Sequence, residues 1–194
     1  LTEGAMRGYH PDFMIPKNPW NQDVWVGTSS SGSGVATAAG LCYGSLGSDT
    51  GGSIRFPSSA CAVVGLKPTY GRVSRYGILP LAETLDHVGS LARSSFDVGI
   101  ILQAISGEDE NDQTSLSAPA PDMITNIEDG VKNIKIGWSE SYSTKNVRPE
   151  IVRALNVVIE VMENLGAKII EVDLPDIDPY LEHWSIICSS EAFI

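Results

Sequence analysis

Two serine- and glycine-rich stretches hold the residues best suited to chemistry. GSDTGGSIR (47–55) sets Ser53 directly behind Gly51 and Gly52, with Asp49 and Thr50 before them and Arg55 after, while GTSSSGSG (27–34) lies close upstream. Adjacent glycines let a chain fold back so that N–H groups from Thr50, Gly51 and Gly52 converge on one point. Beside a hydroxyl, such a nest stabilises the negative oxygen formed when that hydroxyl adds to a carbonyl. By type and position, Asp49 suits the acceptor that holds the turn together. A serine hydroxyl alone is a weak nucleophile and needs a base.

The surrounding residues argue against several other chemistries. Gly27 to Gly32 has the outline of a phosphate loop, but Ser33 and Gly34 stand where its lysine and hydroxyl residue belong. A hydrolase elbow of the form G-x-S-x-G needs glycine two places after the serine, and Arg55 is there instead. The S-x-x-K pattern is absent. There are three histidines, His10, His87 and His183; His87 lies beside Asp86, and that pair reads as loop framework.

GTSSSGSGVATAAG, followed by GSDTGGSIRFPSSAC and VVGLKPTYGRVSRYG, resembles the amidase signature family; the match is dense from about Asn18 to Arg93. Ser29 and Ser53 are 24 positions apart, the family's separation. The resemblance implies that Ser53 is the acylated nucleophile and that Ser29 relays a proton, reached through a cis Thr28–Ser29 bond. It further implies an oxyanion hole built from the N–H groups of Thr50, Gly51, Gly52 and Ser53, with Ser30, Asp49 and Arg55 in support. The family's base is a lysine well upstream of the first motif. Lys17 lies too near Ser29 to match it, and Lys67 falls in a framework stretch, so the sequence is expected to be a truncated piece, inactive alone. Thr28 and Ser31 replace glycines usual in the family.

The implied function is an amidohydrolase that cleaves a carboxylic amide C–N bond in a small molecule, without cofactor or metal. The A-type member of the glutamyl-tRNA amidotransferase complex is an alternative, although Phe56 stands where that protein usually has a polar residue. A non-catalytic scaffold that keeps the fold without the lysine is another. Trp20, Trp25 and Phe56 suit either an acyl pocket or ordinary packing.

The elements that must position these residues read as α/β: a mixed sheet covered by helices on both faces, part of a single larger amidase signature domain. Small residues from Gly32 to Leu41 suit a closely packed helix. YGSLGSDT reads as a strand, residues 53–61 as a helix start limited by Pro57, VVGLKPT as a strand stopped by Pro68, and VGSLA as another. SSFDVGIILQAISG is a helix, with Ser94 and Asp97 at capping spacing and Gly107 as its stop. Residues 108–122 form an acidic surface excursion or linker. Strand, helix, strand, helix fill 133–194, the first of these helices starting at Pro149 with an apolar stripe of Ile151, Leu155, Val158, Ile159, Met162 and Leu165. Residues 1–31 are mostly loop.

Composition sets outer bounds. With 42% hydrophobic and 19% charged residues the chain is ordinary for a globular protein, and its net charge of −11 opposes nucleic-acid binding. No apolar run approaches the roughly 18 residues of a membrane span. Cys42, Cys61 and Cys188 show no paired spacing and read as reduced thiols, which fits a cytoplasmic protein and leaves a homo-oligomer open.

Overall fold

The computed structural model describes residue 12 and residues 14–192. The loop reading of the first residues, including His10, and the last residues of the final helix lie outside this range. The chain forms two compact units, one running to Thr125 and resuming at His183, the other spanning Asn126–Glu182.

The first unit is built on a three-stranded antiparallel sheet in the order β1-β3-β2, with β1 at Gly44–Asp49, β2 at Val64–Leu66 and β3 at His87–Ala92. The central strand is buried along almost its whole length. Because successive side chains alternate across a strand, β3 presents Val88, Ser90 and Ala92 to one face and Gly89 and Leu91 to the other. Helix α3 (Ser95–Ile105) covers the first face: Ser90 Oγ donates to the Val98 carbonyl at 3.0 Å, and Val88 packs with Leu102 and Val73 in the core. Helices α1 (Ser31–Ala38) and α2 (Arg55–Ala60) lie against the other, where Thr37 meets Ser45 at 2.8 Å and Ile54 packs beside Gly89. This sheet therefore has helices on both faces, as its sequence predicts.

Local signals account for the element ends. Ser94 Oγ accepts the Asp97 N–H at 3.1 Å and donates to the Asp97 carboxylate at 2.7 Å, which caps α3. Pro57 sits in the first turn of α2, where its missing N–H costs least. The acidic stretch is anchored rather than free. Ser74 donates to Asp109 at 2.6 Å, the Arg75 N–H donates to the buried Asp112 at 2.8 Å, and the Leu116 N–H reaches the Gly71 carbonyl.

The second unit pairs β4 (Lys135–Trp138) and β5 (Lys168–Glu171) in parallel, Lys135 opposite Lys168. The crossover contains a short helix α4 (Glu140–Thr144), which the sequence reading misses, and α5 (Pro149–Asn164), which packs on β5. Strands thus divide between two small sheets. A last helix, α6 (Asp178–Glu191), begins in the second unit and ends in the first. Among the described residues no helix is long and apolar enough to cross a membrane.

Candidate active site

The serines of the first motif close the outer edge of β1. Ser30 Oγ lies 3.2 Å from both the N–H and the carbonyl of Ser48, and Ser33 Oγ donates to the Leu46 carbonyl at 2.8 Å. An edge strand needs such partners for its unpaired backbone groups. Gly47 makes the approach possible, since a Cβ there would stand 2.7 Å from Ser30 Oγ. Gly27, at φ +76°, passes so close to Pro57 that a Cβ would meet its backbone at 2.8 Å. Between these contacts the Thr28–Ser29 peptide bond is cis, the form the family resemblance implies.

The two motifs meet directly. The Ser30 N–H donates to the carbonyl of Ser53 at 3.2 Å, so the residue after Ser29 is tied to the residue that carries the second hydroxyl. Ser29 is exposed and Ser53 half-buried, which suits groups that must meet a substrate.

Asp49, the last residue of β1, organises the turn that follows. It is almost fully buried and accepts the N–H groups of Gly52 at 2.7 Å, Ile54 at 3.2 Å and Arg55 at 3.3 Å. The Arg55 guanidinium grips it through Nε at 3.0 Å and Nη2 at 2.9 Å. Burial alone would raise its pKa, but the Arg55 side chain, the Gly52 and Ile54 N–H groups and the Arg55 charge outweigh burial and hold the carboxyl below its usual range.

This arrangement changes one expectation. The Gly52 N–H is already committed to Asp49, so it is withdrawn from the set of converging donors. The N–H groups of Thr50, Gly51 and Ser53 donate to no acceptor among the described residues. The peptide groups around them are fixed from the other side. His87 Nδ1 lies 3.2 Å from the Asp49 carbonyl and 2.7 Å from that of Leu85, Trp184 Nε1 donates to the Thr50 carbonyl at 3.0 Å, and the Phe56 N–H donates to the Gly52 carbonyl at 2.7 Å. Both neighbours of His87 Nδ1 are carbonyl acceptors, so that nitrogen carries the proton. Thr50 Oγ1 donates to Asp86, whose other oxygen accepts the Leu81 and Ala82 N–H groups.

Asp86 and His87 are thus framework of the turn, as their sequence context predicts. Trp184 is a contact that sequence reasoning misses: it reaches Thr50 across 134 positions, and no local pattern signals it. Lys67 donates to the Pro68 carbonyl at 2.7 Å, and burial, then repulsion from Arg55, push its pKa down. Trp25 and Phe56 meet edge to face at 4.9 Å. Trp20 is largely exposed and spends its indole N–H on the Cys61 carbonyl at the end of α2.

A buried carboxylate that ties back a serine-bearing turn, set against a second serine loop, suits serine-dependent acyl transfer. The Amidase family model matches residues 2–194, and the chain belongs to the amidase signature family. It is 46% identical over 167 residues to amidase AmiD of Mycobacterium tuberculosis, covering 86% of this chain and 34% of that protein. It is 44% identical to the A-type component of the glutamyl-tRNA(Gln) amidotransferase of Akkermansia muciniphila, covering 99% of this chain and 41% of that protein. The corresponding amidotransferase component of Thermotoga maritima superposes with a TM-score of 0.88 at 38% identity, over 93% of this chain and 40% of that one. The native peptide amidase of Stenotrophomonas maltophilia does so with a TM-score of 0.81 at 31% identity, over 91% and 37%. The chain therefore spans 34% to 41% of the length of these relatives.

Proposed function

We propose that the whole protein hydrolyses a carboxylic amide through an ester on Ser53. One observation carries the reading: among the described residues the N–H groups of Thr50, Gly51 and Ser53, at and just before Ser53 in the chain, have no acceptor, while the bonds that shape the turn use other groups. Ser53 Oγ adds to the amide carbonyl carbon and passes its proton to Ser29, which passes its own to a basic lysine in the remainder of the protein. Those three N–H groups stabilise the oxyanion. The C–N bond then breaks as the amine takes a proton back along the relay, and water cleaves the ester. The Phe56 ring, three residues after Ser53 and packed edge to face on Trp25, suits an acyl group with hydrocarbon character.

Incubation of the whole protein with an amide substrate, an acid quench and peptide mass analysis should show an acyl adduct on the peptide containing Ser53. Ser53→Ala should abolish it and lower turnover at least about a thousand-fold. An adduct on another serine in that variant would defeat the assignment.

A second reading, as the A-type component of a glutamyl-tRNA amidotransferase, is supported by the close superposition on the Thermotoga maritima protein. Phe56 argues against it, since it places a half-exposed apolar ring where that component usually has a polar residue. Transfer of ammonia to charged tRNA in a reconstituted complex would favour this second reading over free hydrolysis.

A further inference from the structure

We propose that Trp184 is a positioning residue for the oxyanion-binding turn, a role that rests on the serine-ester reading above. A trans peptide is a rigid plane in which C=O and N–H point in opposite directions. The Trp184 indole N–H holds the Thr50 carbonyl at 3.0 Å, and this fixes the plane whose other end is the Gly51 N–H. That N–H is therefore directed away from α6 and kept from rotating. The ring itself lies across Gly51. A Cβ there would stand 2.5 Å from the indole, so residue 51 must lack a side chain for Trp184 to reach its acceptor.

Trp184 is in turn held by its own helix. Glu191, seven residues on and so on the same face, accepts the Thr84 N–H at 2.9 Å and the Thr84 hydroxyl at 2.5 Å. Thr84 belongs to the loop closed by Asp86, whose carboxylate also takes the Thr50 hydroxyl. Thr50 is thus gripped twice, at its carbonyl by α6 and at its hydroxyl by the Asp86 loop. Both grips bear on the peptide that presents the Gly51 donor, and neither involves the nucleophile.

The test uses the whole protein with Trp184 replaced in two ways. Trp184→Phe keeps a ring over Gly51 and removes the N–H. Benzothienylalanine, introduced at position 184 by codon suppression, keeps the shape of indole and exchanges only N–H for sulfur. Either change should lower kcat about 10- to 100-fold, less than the 10²–10³-fold loss of a whole oxyanion donor, with KM within about twofold. Affinity for a trifluoromethyl ketone, which forms a tetrahedral adduct on serine, should fall by the same factor as kcat/KM. Affinity for an unreactive ground-state analogue should hold. A merely structural role would lower the melting temperature and weaken both ligands alike. If Trp184→Phe fails to fold, the sulfur isostere decides the matter. Unchanged kcat in the isostere, with Ser53 still acylated in the unmodified protein, overturns the role of Trp184 and leaves the serine reading intact. An unmodified protein that forms no ester at Ser53 overturns both.

Discussion

Asp49 shows how much one side chain can organise. It joins three backbone N–H groups and one guanidinium, and so sets the turn that carries Ser53. Its folded pKa lies below the ordinary 3.8, so its contribution to stability is complete above that value and is lost as pH falls through the folded one. Asp49→Asn removes the charge and cannot satisfy all of these donors. The whole protein should lose roughly 2–3 kcal/mol at neutral pH, a range that allows for solvent screening at the exposed Arg55. The variant's stability should also be flatter than the parent's below about pH 4. Urea titrations at several pH values check both points, and an unaltered acid slope would contradict the account. Asp49 is legible in the sequence as a turn holder because its partners lie within six residues. That it takes the Gly52 N–H in particular is not, since that depends on which way one peptide faces.

At the scale of elements, β3 depends on Gly89. This residue faces α1 and α2, and a Cβ there would stand 2.1 Å from the Leu66 carbonyl oxygen on the neighbouring strand. Backbone cannot yield as the end of a flexible side chain can, so Gly89→Ala should cost about 1–3 kcal/mol, read as a lower urea midpoint for the whole protein. A parental midpoint would mean that β2 moves freely. Ser94→Ala, by contrast, removes a cap from α3 and should cost about 1 kcal/mol with little effect on the sheet. The difference between these sites mirrors what sequence can disclose. Ser94 and Asp97 announce a helix start because capping is local. Pro149 and Gly166 frame α5 for the same reason. Nothing in VGSLA tells that its glycine meets a carbonyl from residue 66, nor that the strands divide between two sheets, because those facts arise from pairing distant in sequence. The short α4 carries no cap or periodic stripe long enough to mark it.

At the scale of the molecule, α5 shows what a two-stranded sheet can cover. Its apolar arc is broad: Leu155, Ile159 and Met162 are partly buried, whereas Ile151, Val158, Val161 and Leu165 are each about half exposed. Those four follow one another at spacings of seven, three and four, which makes a continuous strip along one side of the helix. Isolated exposed apolar residues are ordinary in globular proteins, but a strip of this kind usually marks a surface that another element covers. The relatives supply a reason, since this chain spans only 34% to 41% of their length. Val158→Asp is the discriminating change. In the whole protein, burial of an unpaired carboxylate should cost about 2 kcal/mol or more and lower the melting temperature. In the 194-residue chain taken alone, the same substitution should leave stability nearly unchanged and reduce the binding of a hydrophobic dye such as ANS. Equal tolerance of Val158→Asp in both would show that water, not further polypeptide, lies against this side of α5.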